Sequence, residues 1–251
     1  MGIIISPYVL TVEIKFKHDN VSAEQTKSFS HQLPVIRDLS TPHQFTHAHS
    51  DPKGLVSSAI IKPPKSLSSY HPYYILVALH GAGVENNSPF WAHDAYGDLD
   101  NENIFVVQPS GVTSWGDDWH GAWSSRDAQS AIKGLQEWSK LVVDCLPSAH
   151  TLRFWDRVIV AGHSNGGQGT WYALTHWSDT SLLAGNPISG YSSIPMYVPY
   201  TFWQPLEGKK ALIRDIALRS YDHALLAENA VPFPIHVKHG SEDGLDFDFY
   251  D

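Results

Sequence analysis

The segment from Arg157 to Gly167 constrains the fold of this chain more than any other stretch of its sequence. The apolar run Val158–Ala161 leads into Gly-His-Ser-Asn-Gly-Gly, and the small residues that follow can begin a helix. This order predicts a strand, a sharp turn carrying Ser164, and then a helix. Glycine is needed at Gly162 and Gly166 because side chains there would collide where the strand and helix cross. Ser164 is therefore a candidate nucleophile, exposed at the edge of a sheet.

Composition limits the classes of partner. The 251 residues are 42% hydrophobic and carry a net charge of -9, with no run of Lys or Arg. This content is enough for the core of one large α/β domain. We expect no nucleic-acid partner and no membrane partner, because both favour basic clusters on a protein surface. No stretch approaches the roughly 20 apolar residues of a membrane span, and the N-terminus has no basic start or long apolar core, so we predict no signal peptide.

The pattern of apolar residues changes at about residue 70. Residues 1–70 read as an N-terminal β or irregular segment, with a strand at Thr11–Lys17 and another at Leu55–Ile61. The polar stretch 40–53 contains three histidines, for which a solvated loop is preferred to a metal site. Residues 71–251 alternate strands with helices, which predicts a doubly wound, mainly parallel sheet in one catalytic domain. The predicted strands are 73–79, 104–107, 157–161, 182–188 and 234–238, and the predicted helices are 127–146 and 168–177.

Acyl transfer by a serine needs N–H donors that stabilise the oxyanion formed on attack. The backbone N–H of Asn165, which follows Ser164, is one predicted donor. The turn Leu79-His80-Gly81-Ala82-Gly83 ends a buried strand at the matching place. There we predict Ala82 as the second donor, with Gly81 beside it. Taken by itself, this turn also fits an ordinary glycine-rich connection.

Two further segments supply candidate residues. His239-Gly240-Ser241-Glu242-Asp243 follows a predicted strand, so Asp243 lies past its carboxyl end, where α/β sheets bind ligands. Asp243 is the candidate acid, and a plain acidic surface loop is the alternative. Trp115, Trp119 and Trp123 alternate with acidic residues and glycines after another strand. They are candidate substrate-binding residues, or else they hold a loop to the protein surface.

Three motifs together resemble the α/β-hydrolase fold, specifically the catalytic domain of the prolyl oligopeptidase family and the related esterases of the polyhydroxybutyrate-depolymerase type. They are Leu79-His80-Gly81-Ala82-Gly83, Gly162-His163-Ser164-Asn165-Gly166-Gly167 and His239-Gly240-Ser241-Glu242-Asp243. The resemblance covers roughly residues 73–245. It implies a serine hydrolase that works through an acyl-enzyme, a peptidase in the first place and a carboxylic-ester hydrolase in the second. We expect no cofactor and no metal.

The resemblance leaves the catalytic base unassigned. In such families the catalytic histidine follows the acid by some tens of residues, whereas none of the 15 histidines here lies beyond His239. We expect the chain to be truncated, lacking the last strand and helix of the fold. One alternative is a base from elsewhere in the chain, with His163, His80 and His120 as candidates. The other is a non-catalytic relative that keeps the pocket and binds a ligand.

Overall fold

The computed structural model describes residues 9–16, 25–32, 42–48, 55–64, 72–96, 99, 103–114, 119–121, 123–143, 152–177, 181–194, 205–241 and 243. The chain divides into two compact units, Met1–Thr41 and Pro42–Asp251. In the first unit, β1 (Val9–Phe16) pairs antiparallel with β2 (Gln25–Gln32). The alternation of apolar and charged residues predicted β1. The sequence of β2 is largely polar, which is why β2 was not predicted.

The second unit contains one six-stranded sheet in the order β3-β4-β6-β5-β7-β8. Its strands are β3 (His43–Ala48), β4 (Val56–Lys62), β5 (Tyr73–Leu79), β6 (Ile104–Pro109), β7 (Phe154–His163) and β8 (Leu182–Ile188). The strands β6, β5, β7 and β8 are parallel, and β4 runs antiparallel to β3 and β6. The prediction of a mainly parallel sheet is confirmed. Central β5 is almost entirely buried, as its continuous apolar run indicates.

Three α-helices accompany these strands among the described residues: α1 (Ser124–Val143), α2 (Asn165–His176) and α3 (Gly208–Arg219). A 3₁₀ segment, His223–Ala230, follows α3. The helix predicted at 127–146 corresponds to α1, whose apolar face is buried at Ala128, Ala131 and Leu135. Helix α1 packs on the β3 side of the sheet, and α2 packs on β5, β7 and β8. Among the helices that the structure describes, none is both long and apolar enough to cross a membrane.

The expected solvated loop at residues 40–53 is wrong for its central part, which forms β3. His47 of this strand is 5% exposed, and its Nε2 lies 3.3 Å from Oδ1 of Asp127 in α1. The other oxygen of that buried carboxylate accepts the N–H of Gly111 at 2.8 Å. A buried polar side chain is tolerated when it is paired, so a polar sequence can form an edge strand with one buried face. Strands β3 and β4 join the sheet, and the domain boundary at residue 70 stays a prediction.

The segment 234–238 lies beside β8 and extends the sheet without forming a continuous strand. It makes two isolated parallel bridges, Gly185 with Ile235 and Ile188 with Lys238. The N–H of Ser189 donates to the carbonyl of Lys238 at 2.8 Å. These bonds bring the chain after Lys238 to the same sheet edge as the end of β8.

Candidate active site

Ser164 occupies a strained turn between β7 and α2. Its backbone angles are φ 56° and ψ -118°, a conformation that costs a residue with a side chain about 1–3 kcal/mol. The N–H of Ser164 donates to the carbonyl of Ile188 at 2.8 Å, and the N–H of Gln168 donates to the carbonyl of Ser164 at 3.1 Å. The end of β8 and the first turn of α2 therefore hold the turn in this conformation. The predicted strand, turn and helix around Ser164 are confirmed as backbone geometry.

The glycines around Ser164 are required by close backbone packing. A Cβ on Gly162 would overlap the carbonyl of Gly166, and a Cβ on Gly166 would overlap the carbonyl of Leu79 at the end of β5. Backbone atoms cannot move aside as the end of a flexible side chain can. The overlap of Gly162 with Gly166 is the collision that the sequence argument predicts, and the close approach of Gly166 to the end of β5 is an additional constraint.

The end of β5 carries a second set of fixed backbone groups. The carbonyl of His80 accepts the indole N–H of Trp119 at 2.9 Å. The carbonyl of Gly81 accepts the N–H of Val84 at 3.3 Å and lies 2.9 Å from Nδ1 of His80. In a trans peptide the N–H points opposite to the C=O. Fixing these two carbonyls therefore also fixes the direction of the N–H groups of Gly81 and Ala82.

The turn Gly81–Val84, which contains both of these N–H groups, lies beside Ser164. Gly83 at its third position has φ 74°, and the N–H of Ala82 at its second position takes no part in the hydrogen bond that closes the turn. Gly81 is buried, and a Cβ placed on it would lie 3.5 Å from Cβ of Ser164. The two predicted donors, Ala82 and Gly81, thus belong to a turn that lies close to the candidate nucleophile.

His80 holds this turn from inside the protein. It is fully buried, and its Nε2 lies 2.9 Å from the carbonyl of Ser110, while its Nδ1 faces the Gly81 carbonyl. Its ring makes edge contacts with Trp91 and Trp119 at centroid distances of 6.2 Å and 4.9 Å. Both ring nitrogens are occupied by main-chain carbonyls, so His80 fixes the turn and does not face Ser164 as a base.

Asn165 is 4% exposed at the N-terminus of α2. Its side-chain Oδ1 accepts the hydroxyl of Tyr191 at 2.7 Å. Backbone N–H groups in the first turn of a helix point out of its N-terminus, which is the arrangement expected of an oxyanion donor. The contact from Tyr191 comes from the loop after β8. The aromatic residues of segment 190–203 predict either a short insertion over the site or a plain connection, and this contact brings Tyr191 to the site.

Asp243 is half-buried, and its N–H donates to the carbonyl of Gly240 at 3.1 Å. It follows the segment bridged to the end of β8, and the same end of β8 binds the N–H of Ser164. Asp243 and Ser164 therefore lie on segments that end at the same sheet edge. The role of Asp243 as the acid stays a prediction.

The three tryptophans fall in different places. Trp119 is 1% exposed and packs against Gly169 of α2, so its ring supports the Gly81–Val84 turn from within and does not line an open cleft. Trp123 is 49% exposed and directly precedes α1, and its role in substrate binding stays a prediction. Trp115 lies outside the described residues.

The candidate bases differ in their surroundings. His163 is exposed, and its Nδ1 is 3.7 Å from the position of a Cβ on Gly81. His120 stacks on Tyr221 at 4.0 Å, and its Nε2 donates to the carbonyl of Ser220 at 2.9 Å. In the part of the chain that the structure describes, no histidine ring is hydrogen-bonded to Oγ of Ser164. Of the three candidates, His163 is the one beside the site and not engaged with main-chain carbonyls.

His120 belongs to a ring cluster at the far end of α2. The other rings of this cluster are those of Tyr172, His176 and His223. The rings of Tyr172 and His176 are stacked with their centroids 4.1 Å apart. Burial lowers the pKa of His176, a hydrogen bond that its Nδ1–H donates to the carbonyl of Tyr172 raises it, and the neighbouring His120 lowers it further. Burial, together with the other two histidines, lowers the pKa of His223 to about 3. The described residues contain no group of three or more His, Cys, Asp or Glu arranged to hold a metal ion.

Comparison with known proteins gives one curated relative with clear similarity. The chain is 35% identical over 208 residues to an uncharacterized secreted protein of Arthroderma benhamiae, a match that covers 76% of this chain and 20% of that protein. The chain thus spans about a fifth of the length of this relative. No protein-family model matches the chain.

Solved structures give a consistent fold. An acylaminoacyl peptidase of Pyrococcus horikoshii matches with a TM-score of 0.56 at 17% identity, over 79% of this chain and 31% of that one. A puromycin-hydrolyzing peptidase of Mycobacterium tuberculosis matches at 0.54 and 18%, over 88% of this chain and 40% of that one. The fluorophosphonate-binding serine hydrolase FphF of Staphylococcus aureus matches at 0.50 and 17%, over 82% and 84%. We conclude that this chain has the α/β-hydrolase fold. The conclusion rests on the strand order of the sheet, the strand–turn–helix at Ser164 and the similarity to these solved structures.

Proposed function

We propose that this protein is a serine hydrolase that works through an acyl-enzyme, with Ser164 as the nucleophile. The observation that carries the proposal is the backbone conformation of Ser164, φ 56° and ψ -118°, held between β8 and α2 beside the Gly81–Val84 turn. Strain of this kind persists only where the surrounding structure enforces it, and it concentrates at functional sites.

The reaction follows from the positions of these groups. Oγ of Ser164 attacks the substrate carbonyl and passes its proton to a base, and the carbonyl oxygen becomes an oxyanion. The backbone N–H groups of Asn165 and Ala82, with Gly81 beside them, donate to that oxyanion. Collapse of the intermediate expels the leaving group, which takes up the proton, and water then releases the acyl group from Ser164. Asp243 orients the base and stabilises its positive charge.

A peptidase of the prolyl oligopeptidase type is the first substrate class, and a carboxylic-ester hydrolase is the second. The structurally similar proteins include enzymes named as peptidases and one named as an S-formylglutathione hydrolase, so both substrate classes are represented among them. An ester panel beside matched peptide amides separates them, because turnover of esters alone counts against a peptidase. A binding protein without catalysis is the rival from a different class, and it predicts ligand binding that survives Ser164→Ala with no covalent adduct.

The experiment is fluorophosphonate labelling of the 251-residue chain, read by mass spectrometry, with Ser164→Ala and a circular dichroism spectrum as controls. An adduct on Ser164 that is absent from the variant supports the proposal and requires a base within reach of Oγ. Labelling of His163→Gln then tests that histidine as the base. Failure of the folded chain to label overturns the proposal for this chain.

A further inference from the structure

A chain of buried polar contacts supports the turn beside Ser164 from the neighbouring strand. Strands β5 and β6 are parallel neighbours, so His80 and Ser110 follow them at the same edge of the sheet. Nε2 of His80 lies 2.9 Å from the carbonyl oxygen of Ser110. The peptide that joins His80 to Gly81 carries one of the proposed oxyanion donors, so the ring of His80 connects this donor to the loop after β6.

The loop after β6 is bent into a conformation that side chains disfavour. Gly111 and Val112 have φ 67° and 70°, in the left-handed region, and the branched side chain of Val112 is especially unfavourable there. Such a conformation persists only where neighbouring groups enforce it. Two residues of α1 do so, because Oγ of Ser124 donates to the Gly111 carbonyl at 2.5 Å and Oδ2 of Asp127 accepts the Gly111 N–H at 2.8 Å.

Asp127 and His80 contact opposite sides of one rigid group. The N–H of Gly111 and the C=O of Ser110 belong to the same planar peptide unit, so fixing one also fixes the other. Asp127 therefore orients the carbonyl that His80 faces. Asp127 is fully buried, and in such a medium of low dielectric constant its carboxylate polarises the peptide that is hydrogen-bonded to it.

This polarisation bears on which nitrogen of His80 carries the ring proton. A neutral imidazole has one N–H, whereas Nε2 faces the carbonyl of Ser110 and Nδ1 faces that of Gly81, each at 2.9 Å. The Ser110 carbonyl belongs to the peptide that Asp127 polarises, so it is the stronger acceptor of the two. We therefore expect the proton on Nε2, where its hydrogen bond anchors the residue that precedes the turn.

We propose that Asp127 is a positioning residue for the oxyanion donors. Its carboxylate holds the peptide between Ser110 and Gly111, and that peptide accepts Nε2–H of His80. The anchored His80 in turn fixes the N–H of Gly81 and the turn that follows. Asp127 thus acts through His80 and not on the substrate. The inference rests on the proposed function, because it assigns a role in stabilising the oxyanion.

Two variants of His80 separate the roles of its two nitrogens. The amide nitrogen of glutamine can take the place of Nε2 in a histidine ring, and that of asparagine can take the place of Nδ1. We expect His80→Asn to react with fluorophosphonate about tenfold more slowly than His80→Gln, because only glutamine can still donate to Ser110 and a loosened donor costs less than a removed one. Rates refer to the folded fraction, measured by circular dichroism. Equal rates, or the reverse order, overturn the proposal.

Two variants of similar volume test the carboxylate of Asp127. Asp127→Asn keeps an oxygen that can accept the Gly111 N–H, whereas Asp127→Leu has no acceptor, so we expect Asp127→Leu to label about tenfold more slowly than Asp127→Asn. Leu135→Ala is the matched control for lost stability, because Leu135 is an apolar, fully buried residue of the same helix. Its unfolding midpoint is expected to fall while its folded fraction labels at the wild-type rate. Equal rates for the two Asp127 variants, or an equal slowing in Leu135→Ala, overturn the proposal.

A third measurement reads the ring of His80 directly and does not require hydrolysis. In ¹⁵N NMR of the histidine-labelled chain, protonated and unprotonated ring nitrogens have different chemical shifts, and the spectrum of His80→Gln identifies the signals of His80. We expect the proton on Nε2 in the wild type and a rise in the Nδ1–H form in Asp127→Leu. A wild-type ring protonated on Nδ1 overturns the proposal. A chain that shows the expected proton position but does not label overturns the proposed hydrolase and leaves Asp127 as the residue that orients the turn.

Discussion

Trp119→Phe tests the inference that a buried indole fixes the turn beside Ser164. The change removes the N–H that donates to the carbonyl of His80 at 2.9 Å and leaves an aromatic ring in place. A buried acceptor that loses its partner costs about 1–3 kcal/mol. The lost ring atoms of a side chain that is 1% exposed add about 1 kcal/mol or more. We expect the free energy of unfolding to fall by about 2–4 kcal/mol.

The same change is expected to slow labelling of Ser164. Removing one oxyanion donor from a serine hydrolase costs about 10²–10³ in rate, and here the N–H of Gly81, one of the proposed donors, is loosened but not removed. We therefore expect a decrease of about tenfold in the rate constant of fluorophosphonate labelling.

Urea unfolding followed by circular dichroism measures the first effect, and timed labelling measures the second. Trp155→Phe is the matched control, because Trp155 is 46% exposed at the start of β7 and its ring stacks on Tyr74. It is expected to change stability by no more than about 0.5 kcal/mol. If Trp119→Phe unfolds as the wild type does and labels at the same rate, the role assigned to Trp119 is refuted. The unfolding measurement tests the structural role of Trp119 even if the chain does not react with fluorophosphonate.

Three other changes test separate parts of the structure. Tyr191→Phe removes the 2.7 Å hydrogen bond to the side chain of Asn165. We expect labelling to become several-fold slower with little loss of stability. An unchanged rate would show that this contact does not position the backbone N–H of Asn165, the proposed donor. Asp127→Ala leaves the buried His47 and a backbone N–H without their carboxylate, and urea unfolding is expected to show a loss of about 3–5 kcal/mol. Between pH 7 and pH 5 the unfolded chain protonates His223 at its ordinary pKa of 6.5, whereas the folded chain does so only near 3, so stability is expected to fall by about 2 kcal/mol as pH falls. The lowered pKa of His176 leaves a smaller slope in His223→Phe, so a slope as steep as that of the wild type contradicts the assignment to His223.

The sequence predicted the parts of the fold whose requirements are local. The turn at Ser164 needs glycines at fixed positions, because backbone atoms of β5 and α2 lie where side chains would be, and that need is visible in the motif. Strand β5 is buried by its neighbours, so it reads as a continuous apolar run. Strand β3 escaped prediction because its inner side includes His47, whose burial depends on a carboxylate about 80 residues further along the chain.

The candidate site likewise contains residues that local motifs predict and residues whose roles depend on distant parts of the chain. Ser164, Asn165 and Ala82 follow from motifs with known backbone geometry. The hydroxyl of Tyr191 on Asn165 and the indole of Trp119 on His80 join segments that are distant in sequence, and no local pattern reveals such pairs. The tryptophan motif left two readings open, and only the burial of Trp119 distinguishes a supporting side chain from a substrate-binding one.

The order of strands in the sheet has a consequence for synthesis of the protein. Strand β5 pairs with β6 on one side and with β7 on the other, and β7 begins 75 residues after β5 ends, at Phe154. At about 5–20 residues per second, the ribosome delivers that second neighbour roughly 4–15 s after Leu79. During this interval the most apolar strand of the sheet has an unpaired edge, which is the condition under which nascent chains aggregate or bind chaperones.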